Sequence, residues 1–242
     1  MQIWPAIDLR GGKCVRLRQG DYAQETVFND DPVSVAKEFA AAGAKHLHIV
    51  DLDGAREGLP VNLPSVQDIV NAVDMECELG GGVRDEQAII ELLGFGIDRL
   101  VVGTSAIKQP DWFRDTCRKF PNKLVLGIDA RDGMVATDGW LETSSVSALE
   151  LARQFEGEPI AALVYTDIAT DGMMAGPNVR AMRDMQAALD LPVVASGGVT
   201  TLDDVRDLAQ AGLSGAIVGR ALYEGAFQLS DAIQIAQEAA DK

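Results

Sequence analysis

The chain has 242 residues, a length that fits one large α/β domain or two small ones. Its formal net charge of −16 argues against a nucleic-acid-binding protein, and the lack of an apolar run near ~18 residues argues against a membrane span. The three cysteines have no metal-ligand spacing, and the N-terminus is unlike a signal peptide. We therefore expect a cytoplasmic protein without a disulfide framework.

The first half of the chain alternates short apolar runs with helical patterns. Residues 9–31 between the first strand and the first helix are predicted to form a long, charged loop. Pro5 is unusual within a central strand, because it removes one ladder hydrogen bond. The predicted strands are 2–7, 46–50, 75–79 and 100–102, and the predicted helices are 32–42, 62–73, 85–93 and 111–119.

The second half repeats this order. A polar segment through Trp140 follows its first strand and is interpreted as a small hairpin. The predicted strands are 124–128, 160–165, 193–195 and 216–218, and the predicted helices are 146–155, 178–189, 202–211 and 230–240.

Eight strand–helix units with nearly all-apolar strands predict an α/β fold of the (β/α)8 TIM-barrel class. Such strands are buried on both faces, as in a parallel sheet, and the length suits this barrel. A doubly wound sheet has less support, because no strand is followed by the dinucleotide-binding GxGxxG turn.

An internal repeat supports the barrel. Residues 80–106 align with 196–222 at an offset of 116, and Asp51 matches Asp167 at the same offset. We therefore predict a single domain over 1–242, built from half-barrels at about 1–121 and 122–242. The matched pairs include Gly81 with Gly197, Gly82 with Gly198, Val83 with Val199, Leu92 with Leu208, Gly96 with Gly212, Val102 with Val218 and Gly103 with Gly219.

Two aspartates are the candidate catalytic residues. Asp8 and Asp129 lie 121 residues apart, each at the end of a predicted strand and each followed closely by Arg and Gly. Barrel enzymes place their active sites at these strand ends, and acid–base catalysis needs one group that gives a proton and one that takes it. The alternative is that both aspartates cap loops or pair with Arg10 and Arg131.

Two sets of glycine turns are the candidate phosphate sites, one in each half. Glycine lets the backbone approach a ligand, and a following helix N-terminus offers free N–H groups. The alternative is that these glycines only form tight turns between strands and helices. We expect a small, elongated substrate with a phosphate at each end. The candidate residues are Gly81, Gly82, Gly103, Thr104, Gly172, Gly197, Gly198, Gly219 and Arg220.

Other candidates are single residues near the strand ends. His48 is nearer the strand end than His46 and is a candidate to contact the substrate, and at least one of the two histidines is expected to pack in the core. Trp140 is a candidate to stack on a planar ligand group, and Arg84 is a candidate to meet an anion. Asp171 and Gly172 lie in a loop suited to close over a ligand. No metal-binding spacing occurs, so we predict neither a metal nor another cofactor.

Several longer segments together carry a resemblance to a known family. AIDLRGGKCVRLRQGDY, HIVDLDGA, ELGGGVR, LGIDARDG with a following DGW, YTDIATDGMMAGPN and IVGRALYEG resemble the phosphoribosylformimino-5-aminoimidazole carboxamide ribotide isomerase family of histidine biosynthesis. The match runs from Ile3 to Gly225, and its one departure is a short loop between Asp129 and Trp140.

The resemblance implies an isomerase that performs an Amadori rearrangement of an aminoaldose to an aminoketose. It implies that Asp8 is the base and Asp129 the acid, and it places Thr166 and Asp171 beside the substrate. Three alternatives stay open: the sister cyclase subunit of imidazole glycerol phosphate synthase, an isomerase that also accepts phosphoribosylanthranilate, and a non-catalytic binding barrel. An anthranilate carboxylate would need a cation such as Arg18 or Arg84. We expect a monomer that binds neither nucleic acid nor membrane.

Overall fold

The computed structural model describes residues 1–137, 140 and 142–240. The strands are, in chain order, β1 (Gln2–Arg10), β2 (Lys13–Arg18), β3 (Asp21–Asn29), β4 (His46–Asp51), β5 (Glu76–Gly80), β6 (Arg99–Val102), β7 (Leu124–Arg131), β8 (Met134–Thr137), β9 (Glu142–Ser147), β10 (Ala162–Asp167), β11 (Val193–Ser196) and β12 (Gly215–Val218).

Helices follow most of these strands. They are α1 (Pro32–Ala41), α2 (Leu52–Glu57), α3 (Leu63–Ala72), α4 (Glu86–Gly94), α5 (Thr104–Lys108), α6 (Pro110–Lys119), α7 (Ala148–Arg153), α8 (Val179–Ala187), α9 (Leu202–Gln210), α10 (Arg220–Tyr223) and α11 (Leu229–Ala240). No helix in the described part of the chain is long and apolar enough to cross a membrane.

Eight parallel strands close into a barrel, which confirms the predicted (β/α)8 fold. Their order around the barrel is β1, β4, β5, β6, β7, β10, β11 and β12, and β12 pairs with β1 to complete the ring. β1 continues through Pro5, which lies opposite Val218. The eight strands end together at one mouth of the barrel, which therefore gathers residues from all parts of the chain.

Strand alternation divides the apolar residues between two layers. One set, including Leu47, Ile49 and Leu79, faces the helices. The other set lies inside the barrel and includes Trp4, Val125 and Val164. Burying each large apolar side chain contributes about 1.5–3 kcal/mol, so both layers hold the strand ends in place.

The predicted loop at 9–31 is wrong. Its residues form β2 and β3, an antiparallel hairpin that extends β1 beyond the barrel mouth. The strands were not predicted because the segment is rich in charged residues. Most of β3 faces solvent, whereas Cys14 and Val15 of β2 are buried. The second half has the same feature: β8 and β9 extend β7, as the interpretation of a hairpin near Trp140 proposed.

Other differences concern helix boundaries. The helix predicted over 146–155 begins only at Ala148, because the preceding residues belong to β9 and pair with β8. The short helices α2, α5 and α10, which the sequence patterns did not predict, directly follow β4, β6 and β12. They place additional backbone N–H groups at the barrel mouth.

Candidate active site

Asp8 and Asp129 occupy matching places at the barrel mouth. Each lies where a barrel strand has begun to pair with its antiparallel extension: Asp8 is opposite Val15 of β2, and Asp129 is opposite Ala136 of β8. On their barrel sides, β1 pairs with β4 and β7 pairs with β10. The two carboxylates are therefore held by rigid strands at a duplicated position.

The partner of Asp8 is a cation. Arg16 of β2 forms an ion pair with it, with Nη1 at 2.7 Å from Oδ2. The Arg16 guanidinium also donates a hydrogen bond to the Ala6 carbonyl and lies 5.0 Å from the centroid of the Tyr223 ring. Arg10 pairs instead with Glu25 at 2.6 Å, so the alternative in which Asp8 pairs with Arg10 is wrong.

The partners of Asp129 are neutral donors. The indole Nε1 of Trp140 donates to Oδ2 at 2.7 Å, and the Thr166 hydroxyl also hydrogen-bonds to the carboxylate. Burial raises the pKa of Asp129 above its usual value, although both hydrogen bonds and the charge of His48 act in the opposite direction. A carboxyl group with a raised pKa is suited to give a proton.

Asp171 completes a group of three carboxyl groups. Burial raises its pKa to about 7, and the charges of Asp8 and Asp129 act in the same direction while Arg16 opposes them. Asp171, which was predicted to bind substrate, therefore lies near enough to both aspartates for their charges to affect its pKa. A carboxyl group with this pKa changes its charge near neutral pH.

The loop that carries Asp171 contacts two neighbouring elements. The Gly172 carbonyl accepts a hydrogen bond from Arg220 Nη1 at 2.9 Å. A Cβ atom on Gly172 would lie 2.9 Å from the Leu17 carbonyl oxygen, so the loop packs closely on β2. The structure thus brings together Gly172 and Arg220, which were both predicted to bind phosphate.

The duplicated glycine turns approach the backbone of neighbouring loops. Gly81 and Gly197 have φ angles of +100° and +95°. A Cβ atom on Gly81 would clash with the Asp51 carbonyl oxygen, and one on Gly197 would lie 2.8 Å from the Asp167 carbonyl oxygen. Both turns therefore need glycine for internal packing, whether or not they also contact phosphate.

Each pair of turns is accompanied by a short helix with matching geometry. Gly103 precedes α5 with φ −100° and ψ −96°, and Gly219 precedes α10 with φ −110° and ψ −102°. Neither glycine has a side chain to cap the helix, so the first N–H groups, beginning at Thr104 and Arg220, point out at the N-terminus. Phosphate sites in this fold commonly use such short helices.

The remaining predicted residues lie in different surroundings. His48 is buried inside the barrel, with Nδ1 at 2.6 Å from Oε1 of Glu78. Arg84 is exposed and donates to the Ala55 carbonyl at 3.2 Å, against the C-terminal end of α2. The contacts of Arg84 do not link it to either aspartate, and its role in anion binding stays a prediction.

Sequence reasoning missed Arg16, because an arginine in a charged segment gives no sign of burial. It also did not reveal that the repeat includes the hydrogen-bond partners of Asp51 and Asp167. Asp51 accepts a hydrogen bond from Asn62 Nδ2 at 2.7 Å, and Asp167 accepts one from Asn178 Nδ2 at 2.8 Å. Both pairs follow the offset of 116, so these two strand-end aspartates stabilise the loops.

Among the described residues, no group of three or more His, Cys, Asp or Glu is placed to hold a metal ion. The chemistry that the site offers is proton transfer by carboxyl groups. Asp8, ion-paired with a cation, and Asp129, hydrogen-bonded to neutral donors, are differently surrounded and suited to opposite directions of transfer.

Comparison with known proteins gives concordant results. A family model described as "Histidine biosynthesis protein" matches residues 2–228. A Rhodopirellula baltica protein is 58% identical over 239 residues, covering 98% of this chain and 94% of that protein. A Geotalea daltonii protein is 50% identical over 243 residues, covering 99% of each chain. Both are named 1-(5-phosphoribosyl)-5-((5-phosphoribosylamino)methylideneamino) imidazole-4-carboxamide isomerase.

Proposed function

Because the chain belongs to the histidine biosynthesis protein family, we propose that it is the isomerase of histidine biosynthesis for which its relatives are named. Its substrate would be the phosphoribosylformimino-aminoimidazole carboxamide ribonucleotide, and the reaction an Amadori rearrangement of an aminoaldose to an aminoketose. The observation that carries the mechanism is the pair Asp8 and Asp129, duplicated in position but surrounded by different partners.

In the proposed mechanism, Asp129 acts first as the acid. It protonates the ribose ring oxygen, the ring C–O bond breaks, and the ring opens to a Schiff base. Asp8 then removes the proton from C2, which gives an enolamine that tautomerises to the ketose. The raised pKa of Asp129 supports its role as proton donor, and the ion pair with Arg16 supports Asp8 as the charged base.

The substrate carries a phosphate at each end, and we assign these phosphates to opposite sides of the mouth. One would bind at Gly81, Gly82, Gly103 and Thr104, and the other at Gly172, Gly197, Gly198, Gly219 and Arg220. The matching backbone geometry at Gly103 and Gly219 supports this assignment.

We further propose that Thr166, Trp140, His48, Arg84 and Asp171 contact the substrate, and that the protein acts as a cytoplasmic monomer without a cofactor. The three cysteines are free and buried, which supports a reducing compartment.

Steady-state turnover of the purified wild-type protein tests this function directly. We expect activity on the imidazole carboxamide ribonucleotide and far less on phosphoribosylanthranilate. Absence of turnover on the former would refute the proposal, whereas comparable turnover on both would establish the bifunctional alternative.

A phosphate soak tests the binding sites separately from the chemistry. We expect two bound ions, one beside Gly82 and Gly103 and one beside Gly198 and Gly219. Density at only one pair would contradict the symmetric assignment of the two phosphates.

A further inference from the structure

A row of three ionisable side chains crosses the barrel interior below the mouth. His48 of β4, Glu78 of β5 and Arg99 of β6 are neighbours in the strand register: His48 lies opposite Glu78, and Glu78 lies opposite Arg99. All three are buried, and Glu78 has no exposed surface. The mechanism proposed above uses neither Glu78 nor Arg99.

Glu78 connects the other two members of this row. Its Oε1 lies 2.6 Å from His48 Nδ1, and its Oε2 accepts a hydrogen bond from Arg99 Nε at 2.8 Å. Burial alone would raise the pKa of Glu78, but the hydrogen bonds and charges of His48 and Arg99 hold it below its usual value. Glu78 is thus a buried carboxylate that these two residues compensate.

Arg99 is itself fixed from the other side. Its guanidinium carbon lies 4.0 Å from the centroid of the Trp4 ring, and Trp4 stacks on His46 with centroids 4.5 Å apart. Its Nη1 is 3.8 Å from Glu76. The Trp4 ring holds the guanidinium plane and so fixes the direction from which Arg99 Nε reaches Glu78, whereas Glu76 is too distant to hydrogen-bond with Arg99.

The consequence for His48 is a defined orientation. A carboxylate only accepts hydrogen bonds, so the ring nitrogen that faces Glu78 must carry a proton. Nε2 is then the ring nitrogen left for other partners. A positive charge on the His48 ring would lower the pKa of Asp129, so the imidazole lies near this aspartate.

We propose that Glu78 and Arg99 are positioning residues for the isomerase reaction: they hold His48 with Nδ1–H on Glu78 and with Nε2 directed to the substrate. This inference rests on the proposed function. Toward the lower end of the barrel, Trp4 packs against Arg99 and His46 stacks on Trp4. The two glutamates of β5 thus contact different histidines. Glu78 contacts His48, whereas Oε2 of Glu76 lies 3.4 Å from Nδ1 of His46.

The first test uses the wild-type protein and requires no active variant. Long-range ¹H–¹⁵N spectra of the histidine rings would involve only two residues, His46 and His48, which a His46→Gln variant would assign. We expect Nδ1 of His48 to carry the proton at neutral pH and Nε2 to change its shift when product is bound. A bare Nδ1, or no response to product, would overturn the proposal.

The second test is a double-mutant cycle read by steady-state kinetics. Glu78→Gln should lower kcat about 10-fold with little change in KM, less than the ~10²–10⁴-fold loss expected for removing an acid–base group. In a His48→Gln background, the same change should have almost no further effect on kcat, because the histidine through which Glu78 acts is absent. Equal losses in both backgrounds would show that Glu78 acts independently of His48.

Glu76→Gln is the matched control, since it neutralises a glutamate on the same strand that faces the barrel interior and contacts Arg99 less closely. It should leave kcat within about 2-fold of wild type. Arg99→Lys provides a further variant if Glu78→Gln does not fold, and it should lower kcat while leaving KM nearly unchanged. Inactive wild-type protein would refute the function, whereas active wild-type protein with a fully active Glu78→Gln variant would refute only the positioning role.

Discussion

The two halves of the barrel present the same backbone around different side chains. At the offset of 121 that relates Asp8 to Asp129, Arg16 falls on Thr137 and Trp140 falls on Gln19. Gln19 and Trp140 both have left-handed φ angles, 49° and 71°, so even this unusual backbone feature is repeated. The residues that contact the two aspartates are the ones that break the repeat.

This difference explains how a symmetric fold can support an asymmetric reaction. In the first half a guanidinium forms an ion pair with Asp8, whereas in the second half an indole N–H and a hydroxyl contact a partly enclosed Asp129. An ion pair stabilises a charged carboxylate, and burial favours the neutral form. The duplicated strands fix the positions, and the unrepeated neighbours distinguish the proposed base from the proposed acid.

The largest expected effect comes from removing either carboxylate. Asp8→Asn and Asp129→Asn should each lower kcat by about 10²–10⁴-fold, because general acid–base steps contribute that much. Circular dichroism and thermal unfolding should show that the fold is retained. If either variant keeps near wild-type turnover, the assignment of opposite roles to the two halves is wrong.

The next effect tests the symmetry of the glycine turns. Gly81→Ala and Gly197→Ala should each lower the free energy of unfolding by about 2–5 kcal/mol, since a left-handed residue costs ~1–2 kcal/mol and the clash with a backbone carbonyl adds to it. Gly133→Ala is the control, because its φ is also positive but a Cβ there meets nothing within 4 Å. Urea unfolding measures all three, and a loss at Gly81 no greater than at Gly133 would contradict the packing argument.

A smaller effect tests the neutral donor to Asp129. Trp140→Phe keeps an aromatic ring but removes the N–H group, and hydrogen bonds to charged groups contribute about 1.5–3 kcal/mol. Losing a donor to the carboxylate raises the pKa of Asp129 further, so the alkaline limb of the kcat–pH profile should move to higher pH. We expect kcat at neutral pH to fall by about tenfold, because the Asp129 carboxyl group loses the donor that orients it; an unmoved alkaline limb would argue against Asp129 as the acid.

The last effect is on stability, concerns Asp171 and depends on pH. Its folded-state pKa of about 7 exceeds the usual value, so the folded protein binds this proton more tightly than the unfolded chain. Stability from this group is therefore complete below pH ~4 and is lost as the pH rises toward 7. The Tm of the Asp171→Asn variant minus the Tm of wild type should increase from pH 4 to pH 8. The increase should be ~2–4 °C for each kcal/mol of stability that wild type loses over this range. A constant Tm difference across this range would contradict the raised pKa.

Much of the barrel could be predicted from the sequence. Short apolar strands alternating with helical patterns predicted all eight barrel strands, and Asp31-Pro32 correctly marked the start of α1, where the Asp31 side chain accepts from Val33 and Ser34. The β2–β3 hairpin could not be predicted in this way, because residues of β3 that face solvent carry no apolar alternation.

The candidate site likewise has residues that the sequence located and partners that only the structure showed. The repeat located Asp8, Asp129 and the glycine turns, since each follows a strand that the apolar pattern marks. Their partners could not be found: Arg16 and Asp8 meet only because β2 folds back on β1, and Glu78 meets His48 only because β4 and β5 are neighbours in the barrel.

The sequence by itself therefore determined the barrel, its two-fold pattern and the two carboxyl groups at its mouth, because strand periodicity and spacing are local properties of the chain. The tertiary structure alone decided which groups surround each carboxyl group. Burial, ion pairing and hydrogen bonding depend on residues brought together from distant segments, and these interactions set the pKa values on which acid–base chemistry depends.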